Sequence, residues 1–289
     1  MRIAVTGGSG KIGSVLCREL VSRGHEVINL DRKAPAEPVG RFVFARLGQR
    51  EIVQPVLEQV DAVAHLGEIP NVHAGRSPEE VYSHNTRAGS VVMQTAADLK
   101  LKRVIYTSSA QVYGMWGGTS ARPKHLPFDE THPIAPHNAY AVGKAANESY
   151  ARLLAEQQGL SVAVFRLPWV HMADTLEPMA GTLKAKPTWT DGFATYVQVR
   201  DIARAYALAL ERPRPGFEVY HFSAAEIMSL HPLRQRLAEH HPDYPPLPSD
   251  WPAFRSPVLT AKAREHFGWE PQWNFLDLYR SQYGEPAVK

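Results

Sequence analysis

The strongest constraint on the fold is a glycine-rich turn near the amino terminus, within IAVTGGSGKIGSVLCREL at residues 3–20. A short apolar run precedes the turn, and a segment with the apolar period of a helix follows it. The glycines fit G-x-x-G-x-x-G at Gly7, Gly10 and Gly13, or G-x-G-x-x-G starting from Gly8. Glycine suits this turn because a Cβ would keep the backbone from closing on a phosphate, and the helix start offers unpaired N–H groups to a pyrophosphate. The residues predicted to bind a dinucleotide here are Gly7, Gly10, Lys11, Ile12 and Gly13.

An acidic residue follows the next predicted strand. Residues 25–30 (HEVINL) are typical of a strand, and Asp31 stands at its end. A carboxylate at this point accepts hydrogen bonds from the adenosine ribose and repels a 2′-phosphate, which favours NAD over NADP. Arg32 beside it keeps NADP open as the less favoured cofactor. The alternative is an ordinary βαβ turn without a ligand; a P-loop is disfavoured because Lys11 is followed by Ile12 and not by Ser or Thr.

Strands alternate with helices through much of the chain, which is the pattern of a parallel sheet covered on both faces. We therefore predict an α/β fold, with a Rossmann-type doubly wound parallel sheet and a small C-terminal substrate-binding cap. Residues 1–167 form the predicted NAD-binding domain, and residues 168–289 a substrate-binding region interleaved with the last strands and helices of the core. The strands are predicted at residues 3–5, 25–30, 41–45, 61–66, 103–107, 160–167, 195–199 and 218–222. The helices after the first are predicted at residues 51–59, 77–100 with a break near Asn85, 138–158, 200–211, 228–240 and 260–267. Ser77 is predicted to start its helix with a capping box to Glu80, and Asn138 to cap the helix that carries Tyr140. Residues 168–187 are predicted to be rich in loops.

Composition argues against several classes of function. The 289 residues carry a formal charge of only +3, with Lys and Arg scattered, so nucleic-acid binding has no electrostatic basis. No apolar run is long enough to span a bilayer, and the chain enters a strand without room for a signal peptide. The single cysteine, Cys17, excludes an intrachain disulfide and is compatible with a reducing compartment. We expect a cytoplasmic protein that binds no nucleic acid, membrane or metal.

A tyrosine and a lysine with helical spacing are the catalytic candidates. Tyr140 and Lys144 lie one helical turn apart and share a face. An adjacent ammonium favours the phenolate and lowers the phenol pKa from its usual value of about 10. The phenolate then acts as a base toward a substrate hydroxyl while the carbinol carbon gives hydride to nicotinamide. The hydroxyl of Ser109, with Ser108 as the alternative, can hold the same substrate oxygen. Such a pair occurs by chance in many helices, but here it follows a dinucleotide motif and a Ser-Ser strand end.

Together these motifs resemble those of the extended short-chain dehydrogenases/reductases of the NAD-dependent epimerase/dehydratase family, across nearly the whole chain. The matching segments are TGGSGKIG at 6–13, Asp31, HLG at 65–67, Asn85, TSSAQVYG at 107–114, YAVGK at 140–144, RLP at 166–168 and YVQVRDIARA at 196–205. The resemblance implies Tyr140 as the base, Lys144 as its partner and a ribose contact, and Ser109 as the third catalytic residue. It also implies a homodimer formed through a helix bundle that includes the Tyr140 helix. The further NAD contacts that it implies lie near Leu66, Gly67, Thr107 and Pro168.

Departures from the family pattern bear on the substrate. Sugar dehydratases of the family carry Thr-Asp-Glu where this chain has Ser109-Ala110-Gln111, so the missing acids argue against dehydration of a sugar. Nucleotide-sugar epimerases usually carry a phosphate-binding Asn where Trp169 stands. The substrate-binding candidates are Glu68, Ser109, Gln111, Trp169, His171 and Arg200. For Glu68 and His171 the alternative is a solvated loop residue. Arg200 and Arg204 could bind an anionic substrate group, with surface ion pairs as the alternative.

We therefore expect an NAD-dependent oxidoreductase or epimerase that acts on a secondary alcohol of a sugar or nucleotide sugar. A dehydrogenase of a free sugar or uronate is the alternative, favoured by Trp169 and by the short chain. A non-catalytic NAD-binding regulatory protein is the alternative from another class. The intact set of Ser109, Tyr140 and Lys144 argues against that role.

Overall fold

A parallel β-sheet runs through the centre of the computed structural model, which describes residues 1–70, 75–101, 103–116, 121–173, 175 and 193–286. The strands are β1 (Arg2–Thr6), β2 (Glu26–Asp31), β3 (Arg41–Phe44), β4 (Ala62–His65), β5 (Val104–Ser109), β6 (Val162–Leu167), β7 (Trp169–His171), β8 (Tyr196–Gln198) and β9 (Phe217–His221). Seven of them form the main sheet in the order β3-β2-β1-β4-β5-β6-β9, with every neighbouring pair parallel. The predicted doubly wound α/β sheet is confirmed.

Helices cover both faces of this sheet. The helices are α1 (Lys11–Ser22), α2 (Arg50–Leu57), α3 (Pro78–Asp98), α4 (Ala139–Gln158), α5 (Val199–Glu211), α6 (Leu233–His240), α7 (Ala261–Phe267) and α8 (Phe275–Tyr283). Side chains of β1 alternate between the two faces, as the two-residue period of a strand requires. Ile3 and Val5 join the core cluster that contains α1, α5 and α7, whereas Ala4 joins the cluster that contains α2, α3 and α4. The strand order reverses between β1 and β4, and ligands of such sheets bind at the carboxyl ends of strands beside that reversal.

Two predicted helix starts are confirmed by their capping bonds. The Ser77 hydroxyl accepts the Glu80 N–H at 3.3 Å, and the Glu80 carboxylate accepts the Ser77 N–H at 3.0 Å, which completes a capping box at α3. The Asn138 side chain accepts the Ala141 N–H at 2.8 Å and caps α4. The Asn138 cap fixes the start of the helix that carries Tyr140.

The expected break of α3 near Asn85 is wrong. The helix is continuous, and Asn85 is fully buried on it. Its side-chain amide accepts the Ile69 N–H at 2.8 Å and donates to the Ile69 carbonyl at 2.9 Å. The polar side chain therefore serves a neighbouring loop and does not disturb the helix.

The chain after β6 contributes one strand to the main sheet and forms a second, smaller sheet. Strand β9 pairs with β6 in the main sheet, whereas β7 and β8 form a separate two-stranded pair. Helix α6 begins at Leu233 and not at the predicted residue 228, since the residue before Pro232 is disfavoured in helical conformation. Helix α8, which Asn274 caps, was not predicted. The predicted loop-rich stretch at residues 168–187 contains strand β7, and most of the remainder lies outside the described residues.

Candidate active site

The glycine-rich turn at the end of β1 has no room for side chains. Gly7 adopts a φ of +71°, and a Cβ on it would lie 2.7 Å from the Cα of Gly67. A Cβ on Gly13 would lie 2.2 Å from the carbonyl oxygen of Gly7. Gly10 is the N-cap of α1 and supplies no side-chain bond, and the first turn of α1 contains no acidic residue. The first N–H groups of a helix lack intrahelical acceptors, so Lys11, Ile12 and Gly13 present donors that fit a pyrophosphate.

Asp31 lies beside this turn, at the carboxyl end of β2. Its carboxylate accepts the Ser9 N–H at 3.1 Å and the Lys33 N–H at 3.0 Å. The side chain is half-buried, and the neighbouring Arg32 is exposed. The turn and the acid therefore meet at the point where a ribose next to the pyrophosphate would bind, as an NAD site requires.

A threonine hydroxyl joins β1 to the end of β4. The Thr6 Oγ1 accepts the N–H groups of Leu66 and Gly67 at 3.1 and 3.2 Å. With its lone pairs engaged by those donors, the hydroxyl donates to the His65 Nδ1 at 2.7 Å. Leu66 and Gly67, predicted as NAD contacts, thus lie directly against the glycine-rich turn.

The two serines at the end of β5 have different partners. The Ser108 hydroxyl donates to the Glu148 carboxylate at 2.5 Å in the buried interior. The Ser109 hydroxyl accepts the Gln111 N–H at 3.2 Å and caps a short 3-10 turn at Ala110–Tyr113. That bond uses one lone pair of Ser109 and leaves its O–H as a donor, which favours Ser109 over Ser108 as the third catalytic residue.

Helix α4 places the tyrosine and the lysine together at the carboxyl end of β5. The Lys144 Nζ lies 5.5 Å from the centroid of the Tyr140 ring. It donates to the carbonyl oxygen of Thr107 at 2.5 Å. Tyr140 is 7% exposed and packs against Ile69 and Val81. The predicted residues Tyr140, Lys144 and Thr107 are therefore neighbours at one edge of the sheet.

A buried carboxylate pairs with this lysine. The Glu68 Oε2 lies 2.6 Å from the Lys144 Nζ, and the two side chains are 3% and 4% exposed. Burial alone raises the pKa of Glu68, but the ammonium of Lys144 and the His65 hydrogen bond outweigh it and hold the pKa below its usual value. Burial likewise disfavours the charged lysine, yet the attraction of Glu68 leaves the pKa of Lys144 raised. The alternative of a solvated loop residue is wrong for Glu68.

Arg166 is the centre of a buried hydrogen-bond network below the site. Its guanidinium donates to the Glu148 carboxylate at 2.7 Å and to the Tyr113 hydroxyl at 2.7 Å. The Tyr113 hydroxyl donates to the His221 Nε2 at 2.6 Å. Burial and the charge of Arg166 lower the pKa of His221 to about 3. The network joins β6, β9 and α4 beneath the strand ends.

The remaining substrate candidates follow the carboxyl ends of β5 and β6 along the chain. Gln111 follows Ser109 and accepts a side-chain hydrogen bond from Asn138 at 3.1 Å. Trp169 is 52% exposed, and its ring meets the His171 ring edge-on at 5.0 Å. His171 is buried on β7, which contradicts the solvated-loop alternative for it.

The two arginines at the start of α5 have different surroundings. The guanidinium of Arg200 lies 5.1 Å from the centroid of the Trp273 ring, and the residue is exposed. Arg204 contacts the buried carboxylate of Asp201 at 2.5 Å and the carbonyl oxygen of Glu270 at 2.6 Å. Arg204 is thus held by protein acceptors, and Arg200 lies over an aromatic ring at the surface.

A cavity of about 410 Å³ lies at the amino ends of the strands, lined among others by Arg2, His25, Arg41 and Gln59, at the sheet edge opposite the catalytic candidates. In the part of the chain that the structure describes, no three His, Cys, Asp or Glu side chains are grouped to hold a metal ion. None of the helices in that part has the length and apolar character of a bilayer span.

A comparison with known families identifies this arrangement. The model of the NAD dependent epimerase/dehydratase family matches residues 3–225. The chain belongs to the NAD-dependent epimerase/dehydratase family. Its members are enzymes that use NAD, so the resemblance stated from the motifs and the predictions of an enzyme and of NAD as cofactor are confirmed.

Known members of the family align over nearly the full chain. A UDP-glucose 4-epimerase of Lacticaseibacillus casei is 26% identical over 318 residues, covering 96% of this chain and 94% of that protein. A dTDP-glucose 4,6-dehydratase of Streptomyces niveus is 29% identical over 318 residues, covering 96% and 90%. The crystal structure of a UDP-glucose 4-epimerase from Bifidobacterium longum with NAD+ and UDP has a TM-score of 0.70 at 19% identity, covering 99% of this chain and all of that one. At this identity, the structural likeness establishes the common fold.

Proposed function

We propose that this family member is an NAD-dependent epimerase or oxidoreductase that acts on a secondary alcohol of a sugar or nucleotide sugar, with Tyr140 as the proton acceptor. The observation that carries the proposal is the position of Lys144, between the Tyr140 ring and the Thr107 carbonyl. This position is at the carboxyl edge of the sheet, beside the reversal of strand order. Open α/β sheets bind their ligands at that point.

In this mechanism, Tyr140 and Ser109 bind the substrate hydroxyl, and Lys144 acts through Tyr140. The Tyr140 Oη accepts the proton of the substrate hydroxyl, because the nearby Lys144 ammonium favours the phenolate. The Ser109 hydroxyl donates to the same substrate oxygen and holds it in place. NAD, when bound by the glycine-rich turn and Asp31, supplies the redox chemistry at its nicotinamide. Tyr140 then returns the proton to the oxygen in an epimerase, or passes it to solvent in a dehydrogenase.

Two observations bear on the substrate in opposite directions. The names of the relatives, a UDP-glucose 4-epimerase and a dTDP-glucose 4,6-dehydratase, favour a nucleotide sugar. The indole of Trp169, where the epimerases usually have a phosphate-binding Asn, favours the second candidate, a dehydrogenase of a free sugar or uronate. An exposed aromatic face supports contact with the apolar face of a sugar ring without binding a phosphate. We propose Trp169, His171, Gln111 and Arg200 as the substrate-binding side chains.

Incubation of the purified protein with NAD and a panel of nucleotide sugars, free sugars and uronates tests the proposal. Net oxidation raises the NADH absorbance, whereas epimerisation changes the sugar without it, so chromatography of the products separates the two. Tyr140→Phe is expected to abolish turnover and leave NAD binding nearly unchanged, because only the phenol oxygen is removed. Turnover that survives this substitution would overturn the mechanism. NAD binding without turnover of any sugar would favour the non-catalytic regulatory role.

A homodimer formed through α3 and α4 is part of the proposal. Three large hydrophobic residues on these helices, Tyr82, Val142 and Leu153, are 40%, 41% and 41% exposed. Burial of such side chains against a second copy would stabilise a bundle of four helices. Sedimentation of the wild type and of Leu153→Glu tests it, with a dimer expected for the first and a weakened dimer for the second. A cytoplasmic location, expected from the single cysteine, stays a prediction.

A further inference from the structure

Glu68 is a buried acid that none of the proposed catalytic steps uses. Its Oε1 accepts from the His65 Nε2 at 3.2 Å and from the Asn147 side chain at 3.1 Å. Its Oε2 accepts from Lys144 at 2.6 Å, and the Tyr106 hydroxyl lies 3.5 Å away. Every one of these groups belongs to β4, β5 or α4, so the carboxylate is held by three elements at once. A buried charge so fully surrounded by donors has a fixed position.

The Glu68 carboxylate also fixes the lysine ammonium. A lysine has three N–H donors. Two of those on Lys144 are directed at protein acceptors, the Glu68 carboxylate and the Thr107 carbonyl. The third donor is therefore the one that can serve the cofactor or the phenol of Tyr140.

The position of Glu68 depends on the cofactor-binding turn. The Thr6 hydroxyl donates to the His65 Nδ1, which leaves Nε2 as the ring nitrogen whose hydrogen is donated to Glu68. Thr6 is the last residue of β1, directly before the glycines. The chain of bonds thus runs from the glycine-rich turn to the lysine beside the catalytic tyrosine.

We propose that Glu68 is a positioning residue of the catalytic pair, which orients the Lys144 ammonium and limits the positive field that this ammonium exerts on the Tyr140 phenol. The proposal rests on the proposed role of Tyr140. An ammonium alone lowers the pKa of a nearby phenol strongly, whereas an ammonium paired with a carboxylate lowers it less. Glu68 therefore offsets part of the positive field at the Tyr140 phenol, while its charge keeps the pKa of Lys144 raised.

The other charged and titratable groups around Lys144 leave Glu68 as its closest counter-charge. Glu148 acts on Lys144 at longer range, but its carboxylate is bonded to Arg166 and Ser108. Tyr106 is neutral, because burial and the charge of Glu68 raise its pKa well above the usual value. Among the described residues, His65 contacts Glu68. The Tyr206 hydroxyl is hydrogen-bonded to that of Thr107, and burial raises the pKa of Tyr206. A change in charge at position 68 is therefore the most direct way to alter the field at Tyr140.

The variants Glu68→Gln and Glu68→Asp test the proposal in the full-length protein with NAD. Glu68→Gln removes the charge and keeps the shape, so both limbs of the pH–rate profile are expected to move to lower pH, the acid limb by roughly one pH unit. The acid limb moves because Tyr140 ionises more readily, and the alkaline limb because Lys144 loses its counter-charge. Glu68→Asp moves the carboxylate away from the Lys144 ammonium by one methylene, so a smaller shift of both limbs to lower pH is expected. Glu211→Gln is the matched control, since Glu211 pairs with Arg23 at 3.1 Å at the opposite edge of the sheet.

A second readout does not depend on turnover. The phenolate absorbance of Tyr140, obtained as the difference between each protein and its Tyr140→Phe counterpart, is titrated with NAD bound. The titration midpoint is expected to fall in the order wild type, Glu68→Asp, Glu68→Gln. A merely structural role would lower the rate at every pH and leave the limbs and the midpoint in place, which overturns the proposal. If Tyr140→Phe retains turnover, the proposed function fails, while the phenolate midpoints still decide whether Glu68 controls the ionisation of Tyr140. If Glu68→Gln does not fold, Glu68→Asp must still show the smaller shift.

Discussion

The Ser108 hydroxyl donates a hydrogen bond to the Glu148 carboxylate at 2.5 Å, inside the protein and beneath the catalytic candidates. This bond commits Ser108 to the network that Glu148 forms with Arg166. Its neighbour Ser109 caps the 3-10 turn and keeps its O–H as a donor. The sequence alone left the choice between these two serines open, and the hydrogen bonds favour Ser109.

The two serines are therefore expected to respond differently to substitution by alanine. Ser109→Ala removes a donor to the substrate oxygen, and kcat is expected to fall by about 10²-fold or more with little change in NAD affinity. Ser108→Ala removes a hydrogen bond to a buried carboxylate, and the free energy of unfolding is expected to fall by about 1.5–3 kcal/mol with turnover per folded molecule retained. Turnover assays and urea denaturation measure the two effects. Loss of turnover in Ser108→Ala, with turnover retained in Ser109→Ala, would instead assign the catalytic role to Ser108.

Asp31 is expected to control the choice of cofactor. Asp31→Ala removes the acceptor for the ribose hydroxyls and the acceptor that holds the Ser9 and Lys33 N–H groups. NAD affinity is expected to fall by about 10- to 100-fold, and NADP affinity by less, because the repulsion of a 2′-phosphate is removed as well. Fluorescence titration with each dinucleotide measures both constants. Asp61→Ala is the matched control, because the Asp61 carboxylate accepts the Arg2 N–H at 2.7 Å at the opposite edge of the sheet. Equal losses for NAD and NADP in Asp31→Ala would contradict a ribose contact.

Gly13 is expected to tolerate no side chain. In Gly13→Ala, the new Cβ would lie 2.2 Å from the Gly7 carbonyl oxygen and 2.7 Å from the Gly8 Cα, so the turn must open. We expect NAD binding to weaken by at least about 10-fold, since a shifted helix start no longer directs its N–H groups at the pyrophosphate. Ser14→Ala in the first turn of α1 is the control, because the Ser14 hydroxyl donates to the Lys11 carbonyl and the substitution adds no atoms to the turn. Calorimetric titration with NAD compares the two variants, and equal affinities would argue that the turn does not close on the dinucleotide.

The features that sequence reasoning predicted correctly depend on local signals. The glycine spacing predicted the turn at the end of β1, and Ser77 and Asn138 predicted the starts of α3 and α4. Helix caps, turn glycines and apolar periods involve residues that are close in sequence. They can therefore be recognised without knowing which distant segments come into contact. The family motifs added the identity of the site, and the structure brings their members Tyr140 and Lys144 to one edge of the sheet.

The features that were missed depend on contacts between distant segments. Glu68 reads as a polar loop residue, and only the approach of α4 and β5 shows that it is a buried partner of Lys144. Its signal in the sequence was an acid directly after an HLG strand end, which does not reveal the partner. Asn85 likewise suggested a helix break, because its use by the Ile69 backbone cannot be seen from helix propensity.

The buried histidine beneath the site gives the protein an acid-sensitive contribution to stability. The Tyr113 hydroxyl receives a hydrogen bond from Arg166 and donates its own hydrogen to the His221 Nε2. Protonation of that nitrogen is opposed first by burial and then by the charge of Arg166, which together lower the pKa to about 3 from a usual value of 6.5. In the unfolded chain the same imidazole takes up a proton as the pH falls through about 6.5. The unfolded state therefore binds more protons than the folded state between these two values.

His221 is thus expected to make the protein lose stability as the pH falls from about 6.5 toward about 3, by at most about 1.4 kcal/mol per pH unit for this one group. Its contribution is fully present above about pH 6.5, where the imidazole is neutral in both states. His221→Gln removes the titrating group and keeps a polar acceptor for Tyr113, so the variant is expected to lose less stability on acidification. It is expected to be less stable than the wild type near neutral pH, because the buried imidazole ring is replaced. Glu130, whose carboxylate accepts the backbone N–H of His221 and whose pKa burial raises, titrates in both proteins and cancels from the comparison. Urea denaturation of both proteins near neutral pH and near pH 5 measures the difference, and parallel losses would show that His221 does not carry the acid sensitivity.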